Sequence, residues 1–379
     1  MKKICVISPL GYSGIAYYDF SLCYFLSRIG LNVDLLSTKK YIVIKTPNFT
    51  RKEVFINTYG DIGRLIKGVN YVLALCRAYV IVLTNGYKTV HLQKLELPPI
   101  DSIFILLLKI IGIKLIYTPH DILPFKESEN KSIIALNYRL VHKIIVHNKA
   151  NKNDLVKYFK LSPDKICVIP HGNFNLFIRE EYNSVIARKK IGLPADRKIL
   201  LFFGSIRKGK GLDILLDAYS ELVKKHPDLL LVIAGKKQRE FDLESLLKKM
   251  DKDVLANNII LRDEFVPDNE IQYYYEAADL VVIPYGRVSE SGVLKYAFSC
   301  SSPTVVSDID EFINDVEDGV NAIVFKHGDP HELVLKIGCA LAGDYDLTAL
   351  GRAAKKYSDT HWDWEKIAYL TKKCYESIV

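Results

Sequence analysis

The sequence has no C-x-x-C pair and no Cys/His cluster at metal-ligand spacing; its seven cysteines, Cys5, Cys23, Cys76, Cys167, Cys300, Cys339 and Cys374, are scattered and odd in number. A disulfide framework and a zinc module are thereby excluded, and a reduced cytosolic protein with small buried thiols is expected. The opening Met-Lys-Lys-Ile-Cys-Val-Ile-Ser-Pro meets Gly11 within a few residues, too short an apolar run for a signal peptide, and reads as a first buried strand. A run of the roughly 20 apolar residues needed to span a bilayer is also missing. The most hydrophobic segment, 103–117, is 15 residues long and carries Lys109 and Lys114, so no transmembrane helix is expected. Short-period repeats and low-complexity tracts are absent. So is any aromatic-interleaved basic stretch, which argues against a nucleic-acid partner.

What is present is a chain of 379 residues, 49% apolar and 25% charged. That length is a soft prior for two domains, and that composition excludes intrinsic disorder. The net charge of +8 is unevenly placed: residues 1–178 hold 24 basic and 11 acidic side chains, a net +13, whereas 179–379 hold 28 and 33, a net −5. A lysine-rich composition would act on both halves alike, so the asymmetry points to an anionic partner of the first.

Short apolar runs rich in Val, Ile and Leu alternate with longer segments of helical period, the pattern of a parallel sheet covered on both faces. Strands are expected at 3–8, 32–37, 89–93, 114–118, 143–147 and 165–170, and again at 199–204, 229–234, 259–261, 280–284, 304–307 and 322–325. The fold class is therefore α/β, two doubly wound series in succession. The strand-free stretch 173–191 holds the linker, which places an N-terminal domain at 1–178 and a C-terminal domain at 179–363.

Three βα junctions have residues suited to an anionic ligand. The first, Ser8 to Tyr18, carries Gly11 and Gly14 before a helical pattern, so that backbone N–H groups can approach an anion at the positive helix end. It is not G-x-G-x-x-G, and the acid about 20 residues on, Asp34, lies inside a strand pattern, so dinucleotide binding is disfavoured. The second, Leu200 to Leu216, ends a strand at Gly204 and presents Arg207, Lys208 and Lys210 before a helix starting near Gly211. Arginine supplies a bidentate fork and lysine a point charge, a diphosphate clamp in outline. The third, Val281 to Ala297, places Glu290, Ser291 and Gly292 between a strand and a helix: the helix start suits phosphate, the carboxylate sugar or ribose hydroxyls, and Ser291 is equally a plain N-cap.

These strings, in this order, resemble those of the GT-B glycosyltransferases of family 4. The resemblance extends from the Gly14 loop to Trp364 and includes T-P-H-D at 118–121, V-I-P-H-G at 168–172, F-F-G-S-I-R-K-G-K-G at 202–211, F-V-P-D-N-E at 265–270, S-G-V-L at 291–294 and E-D-G-V-N-A at 317–322. H-L-Q at 91–93 and the I-R-x-x-K-G form resemble a bacterial subgroup that builds surface polysaccharides. The resemblance implies two Rossmann-like domains facing across a cleft, the first receiving the acceptor and the second the nucleotide-sugar donor, with a C-terminal helix of about 364–379 packing back on the first. It implies retaining transfer from a nucleotide diphosphate sugar (UDP or GDP) to a saccharide or a polyprenyl-diphosphate-linked acceptor.

By the same resemblance, His120 lies near the donor sugar, Arg207 and Lys210 bind the diphosphate, and these three carry catalysis. Gly14, Ser205, Phe265, Val266, Glu290, Ser291, Gly292, Val293 and Tyr296 complete the donor site; Tyr17 and Gln93 face the acceptor. Ser205 stands where the family commonly has an arginine. The family's two glutamates, seven residues apart, are not kept: Tyr296 takes the second place, Val288 lies near the first, and Glu290 is the nearest acid. With Arg207, Lys210 and helix N-termini available for the leaving diphosphate, no metal or other cofactor is expected; Asp308-Ile309-Asp310 has the letters of a metal motif but follows a strand as a loop. His91, His147 and His171 read as structural. The basic first domain suits an anionic membrane surface, with Phe104, Leu107, Leu108 and Ile111 as one helical pattern that would suit a helix near it, although a core helix of the first domain is the preferred reading of that pattern. A cytoplasmic protein, peripheral on the inner face of the plasma membrane and monomeric or weakly dimeric, is expected. Two other readings share the architecture: a nucleotide-sugar 2-epimerase, and a catalytically degenerate partner subunit.

Overall fold

The computed structural model describes residues 3–10, 13–38, 48–58, 62–122, 131–179, 183–286, 288 and 290–378. Gly11 and Tyr12 of the first loop, and Arg287 and Ser289 of the third, lie outside them. The chain divides into two units, one comprising Met1–Gly172 with Trp362–Val379, the other Asn173–His361.

The first unit begins β1 (Lys3–Ile7), α1 (Ser13–Arg28), β2 (Asn32–Thr38), β3 (Thr50–Phe55), α2 (Arg64–Thr84), β4 (Thr89–Gln93) and α3 (Pro98–Ile110). It continues with β5 (Lys114–Thr118), α4 (Lys131–Leu140), β6 (Lys143–Val146), α5 (Lys149–Phe159) and β7 (Ile166–Val168). All seven strands pair in parallel, in the order β3-β2-β1-β4-β5-β6-β7. The strand absent from the sequence reading is β3, whose Thr-Arg-Lys-Glu-Val-Phe has only two apolar residues. It is an edge strand with one neighbour, and its charges serve that place: Arg51 reaches Glu53 at 2.9 Å and Lys52 reaches Asp34 at 3.5 Å.

The second unit begins α6 (Ser184–Lys190), β8 (Lys198–Phe203), α7 (Leu212–Lys225), β9 (Leu229–Ala234), α8 (Leu243–Leu247), α9 (Lys252–Asn258) and β10 (Ile259–Arg262). Then follow α10 (Ile271–Ala277), β11 (Leu280–Ile283), α11 (Gly292–Ser299), β12 (Thr304–Ser307), α12 (Asp310–Ile313), β13 (Ile323–Phe325), α13 (Pro330–Ala342) and α14 (Leu347–His361). Its six parallel strands run β10-β9-β8-β11-β12-β13. Helix α7 shows how the layers pack: Leu212, Leu215, Leu216, Tyr219, Leu222 and Val223 face the sheet while Asp213, Asp217, Glu221 and Lys224 do not.

The division falls at Gly172 rather than 178 because the following residues are tied to the second unit. The Phe174 N–H donates to Ser299 Oγ at 2.9 Å, its ring lies 5.1 Å from that of Tyr296, and the Arg179 N–H donates to Gln272 Oε1 at 2.9 Å. Helix α15 (Trp364–Glu376) belongs to the first unit. Asp363 caps it by accepting from the Lys366 N–H, and the buried Trp364 ring sits 5.4 Å from that of Tyr18 on α1. Counted by structural unit, the charge keeps its asymmetry: 27 basic against 14 acidic residues in the first, 25 against 30 in the second.

The structure bears on two expectations about apolar segments. Among the described residues one helix, α2, is long and apolar enough to cross a membrane by length and composition, with 21 residues and a mean hydropathy of 1.6 over an 18-residue stretch of them. In the second, the apolar segment 103–117 divides as the strand expected at 114–118 requires, leaving α3 at Ile110 and entering β5 at Lys114, and of the expected helical pattern Phe104 and Leu108 face the core while Leu107 and Ile111 are exposed.

Candidate functional site

In each sheet the strand order reverses at one point, between β1 and β4 in the first unit and between β8 and β11 in the second. Outside the carboxyl ends of strands flanking such a switch point, two adjacent loops diverge and leave a crevice. Most candidate residues collect at these two places, while His120 follows β5 and Phe265 and Val266 follow β10.

In the second unit the loop after β8 and the loop after β11 lie against each other. The Gly286 N–H donates to the Gly209 carbonyl at 3.0 Å. Gly211, with φ of +67°, would place a Cβ 1.8 Å from the Pro284 carbonyl oxygen, so only glycine lets the loop enter α7 there. Gly235, ending β9 at φ +145°, would put a Cβ 1.9 Å from the Gly204 carbonyl oxygen, which holds the third strand's loop equally close. The loop carries Ser205, exposed, and Arg207 and Lys210, both half-buried. The Lys210 ammonium stands 3.5 Å over the buried Tyr285 ring, a cation–π contact that orients it at the loop's base.

Across the crevice, Ser291 caps α11: its side chain accepts from the Leu294 N–H at 3.2 Å. Gly292 and Val293 open the helix, and Val293 Cγ2 lies 3.2 Å from where a Cβ on Gly204 would stand. Glu290 is fixed by a residue the sequence reading did not single out. Lys295, 1% exposed, brings its ammonium 3.1 Å from Glu290 Oε1 and 4.0 Å from Asp315 Oδ2. A lone lysine within the apolar Val-Leu-Lys-Tyr-Ala-Phe run was the available signal, since a buried ammonium requires a paired carboxylate.

Three donor-site expectations are corrected here. Tyr296 sits in an aromatic core position and not at an open donor surface: it is 5% exposed, stacked on Tyr275 at 4.8 Å and against a tilted Phe174 ring at 5.1 Å, where a carboxylate would be buried unpaired. Val266 turns inward while its neighbour Phe265 is exposed, so of that pair only Phe265 offers a side chain to a ligand. The Ser291 hydroxyl is buried and spent on the helix cap, which leaves the first backbone N–H groups of α11 as its contribution.

In the first unit, Gly14 lies in the first turn of α1 and is exposed. His120 follows β5 in a left-handed conformation, φ +60°, rare for a residue with a Cβ. Gln93, at the end of β4, accepts from His120 Nε2–H at 3.0 Å through Oε1, which fixes the tautomer and makes Nδ1 the ring's acceptor. Burial, and then His147, His171 and Lys94, hold the imidazole well below its usual range, so it is neutral. His120 and Asp121 do not act together: Asp121 pairs with Lys94.

The acceptor-side expectations also change. Gln93 is fully buried and divides its amide between His120 and His91, so it positions the histidine; Tyr17 is 5% exposed. His91, held down to about 3 by burial and His147, bonds Tyr375 at 2.7 Å and Thr118 at 2.8 Å. His147 reaches the Ile169 carbonyl at 3.1 Å, and His171 the Gly172 carbonyl at 2.7 Å. Asp308 accepts from the His327 N–H and Asp310 opens α12; among the described residues no three His, Cys, Asp or Glu gather as a metal site would require.

Comparison with known proteins bears on both units. Residues 12–172 match the model described as Glycosyltransferase Family 4, and residues 184–357 the model described as Glycosyl transferases group 1. A D-inositol 3-phosphate glycosyltransferase of Segniliparus rotundus is 26% identical over 227 residues, 60% of this chain and 50% of that protein. The chain spans about half the length of the first curated relatives it matches. Sucrose-phosphate synthase from Thermosynechococcus elongatus superimposes with a TM-score of 0.80 at 18% identity, covering 99% of this chain and 98% of that one. Anabaena HepE in complex with UDP and glucose gives 0.75 at 19%, covering 100% of both. Two parallel sheets with matching switch points, together matched by both glycosyltransferase models from residue 12 to residue 357, place the chain in the GT-B glycosyltransferases of family 4.

Proposed function

We propose that the protein is a retaining glycosyltransferase that moves a sugar from a nucleotide diphosphate sugar, UDP- or GDP-linked, to a saccharide or lipid-linked saccharide in bacterial polysaccharide assembly. The observation that carries this reading is the pair Arg207 and Lys210 on a glycine-built loop packed against the β11–α11 loop at the switch point of the second sheet. Breaking the donor's glycosidic bond leaves charge on a diphosphate oxygen. The Arg207 fork, the Lys210 ammonium and the first N–H groups of α11 stabilise it, each preorganised donor contributing about 3 to 4 kcal/mol. Glu290, anchored by Lys295, is placed for hydroxyls of the ribose or the sugar. Neutral His120 accepts a sugar hydroxyl at Nδ1 while Gln93 holds its other nitrogen. With that charge carried by Arg207, Lys210 and backbone donors, transfer proceeds without a bound metal. A neighbour solved with UDP and glucose supports a uridine donor at the level of the fold.

In this reading the acceptor side falls to the first unit, whose net +13 suits an anionic lipid-diphosphate acceptor, and the protein works in the cytoplasm, peripheral on the inner face of the plasma membrane. A degenerate subunit is the second reading, favoured by the Tyr275–Tyr296–Phe174 stack where the family's second glutamate would be. Thermal melts with UDP, GDP and their sugars test the donor site, since a bound ligand raises stability by the logarithm of its concentration over Kd. If no nucleotide raises the melting temperature, the donor reading fails; if wild type transfers sugar and Arg207→Ala does not, the degenerate reading fails.

A further inference from the structure

We propose that the outer faces of α2 and α3 form one docking surface that seats the first unit on an anionic lipid bilayer. A helix covering a sheet needs a single apolar face. Helix α2 has two. Tyr71, Ala74, Leu75, Ala78 and Val82 face the sheet, while Leu65, Val69, Val72, Leu73, Val80 and Leu83, on the opposite side, are exposed. Helix α3 does the same: Phe104, Ile105 and Leu108 are buried, and Ile103, Leu106, Leu107 and Ile110, spaced i, i+3, i+4, i+7, are exposed. Half of the chain's 24 exposed large hydrophobics, counted among the described residues, fall between Leu65 and Ile111.

The two stripes lie on one side of the sheet. Both helices contribute to a single core cluster, and the Tyr71 hydroxyl donates to Asp101 Oδ1 at 2.8 Å, tying α2 to α3. An apolar patch this extended on one face marks an interaction site.

Charge identifies the occupant. Residues 64–114 carry seven basic side chains and two acidic ones, Glu96 and Asp101, and Asp101 is buried beneath Tyr71 and the Leu97 N–H. Helix α2 itself holds Arg64, Lys67 and Arg77 and no acid. Apolar stripes rimmed mainly by cations, with Glu96 the one exposed acid of the segment, fit anionic headgroups over acyl chains. Two copies meeting through this face would oppose cation to cation. Nor does α2 cross the bilayer, although its length would allow it: its inner face is part of the first unit's core, where Tyr71 meets Phe55 of β3. The surface borders the candidate site, because α3 starts at Pro98, five residues after Gln93, at the sheet edge where His120 stands. A membrane-held acceptor would therefore be presented beside that histidine. This deepens the membrane half of the proposed function and rests on it, but its readout is lipid binding and not transfer.

The test is flotation of the full-length chain with phosphatidylcholine vesicles, with and without phosphatidylglycerol, for wild type, I103E/I110E, L73E/V80E and K67Q/R77Q. The altered side chains are at the surface of the unit, so melting curves and nucleotide-induced shifts should stay at wild-type values. Wild type is expected to float on phosphatidylglycerol-containing vesicles and the two glutamate variants to stay in the load fraction; K67Q/R77Q, which removes two cations, should lose roughly thirtyfold in partitioning. If wild type floats on neither vesicle, the membrane half of the proposed function falls. If wild type floats and the glutamate variants float equally, membrane binding stands and this surface is overturned. If gel filtration shows a wild-type dimer that the glutamate variants convert to monomer, a second copy covers the face and the lipid assignment is wrong.

Discussion

The two units share a topology and differ in what they do with its outer layer. Both sheets reverse at one switch point, and both have helices over a Val-, Ile- and Leu-rich interior. Yet α7 of the second unit turns Asp213, Asp217, Glu221, Lys224 and Lys225 away from the sheet, whereas α2 of the first turns leucines and valines. The fold requires only the inner face of either helix. What the outer face carries is therefore informative about partners, and here the basic unit is also the one with apolar outer helices. The sites differ in the same sense. The second unit's consists of glycine loops bearing cations, ready for a charged ligand; the first unit's centres on a neutral histidine in a buried aromatic and histidine cluster.

Removing the donor clamp should break that comparison most sharply. Arg207→Ala is expected to reduce the transfer rate roughly 10²- to 10³-fold and to abolish the nucleotide-induced melting shift, without altering vesicle flotation. Next comes the buried pair of the second unit: Lys295→Ala strands Glu290 and should cost about 3 to 5 kcal/mol in urea unfolding, and Lys295→Met, which fills the volume, should cost less when Glu290→Gln is introduced with it. In the first unit the effect should follow pH. Burial holds His91 down to about 3 in the folded chain against about 6.5 unfolded, so its contribution is intact above pH 6.5 and is lost as pH falls toward 3. Melting between pH 7 and pH 5 should show a loss of about 2 kcal/mol from this group alone, and His91→Gln should flatten the slope. The smallest effect expected is from chelation: EDTA should leave the transfer rate unchanged, and a rate restored by added Mg²⁺ would falsify the metal-independent mechanism.

Much of the site was legible from sequence. The Gly204–Gly211 loop and the Ser291–Gly292 helix start were read from strand ends followed by glycine, serine and basic residues, because that chemistry is local to a βα junction. Residues whose role depends on partners far along the chain were misplaced. Gln93 was assigned to the acceptor and instead holds His120, 27 residues away. Tyr296 was assigned to the donor and instead completes a stack with Phe174, more than a hundred residues before it. Strand β3 escaped because an edge strand with one neighbour needs little apolar content, and hydropathy is the signal by which strands are recognised. Helix α2 is not marked out in the sequence, where its apolar residues are interrupted by Arg64, Lys67 and Arg77. A span of 21 residues without an acid was visible, but not that both of its faces were apolar and only one was covered.

By itself the sequence determined the alternation of strands and helices, the two-fold repetition of the α/β series, the basic loop at 204–211 and the uneven charge, since each depends on residue order within a single element or junction. Only the tertiary structure decided that the chain divides at Gly172. It also decided that Lys295 secures Glu290, that His120 is neutral and held at one nitrogen, and that the apolar stripes of α2 and α3 lie together facing outward. Burial and pairing are properties of where a side chain ends up in space, and the periodicity of a helix says that it has two faces without saying which of them another element covers.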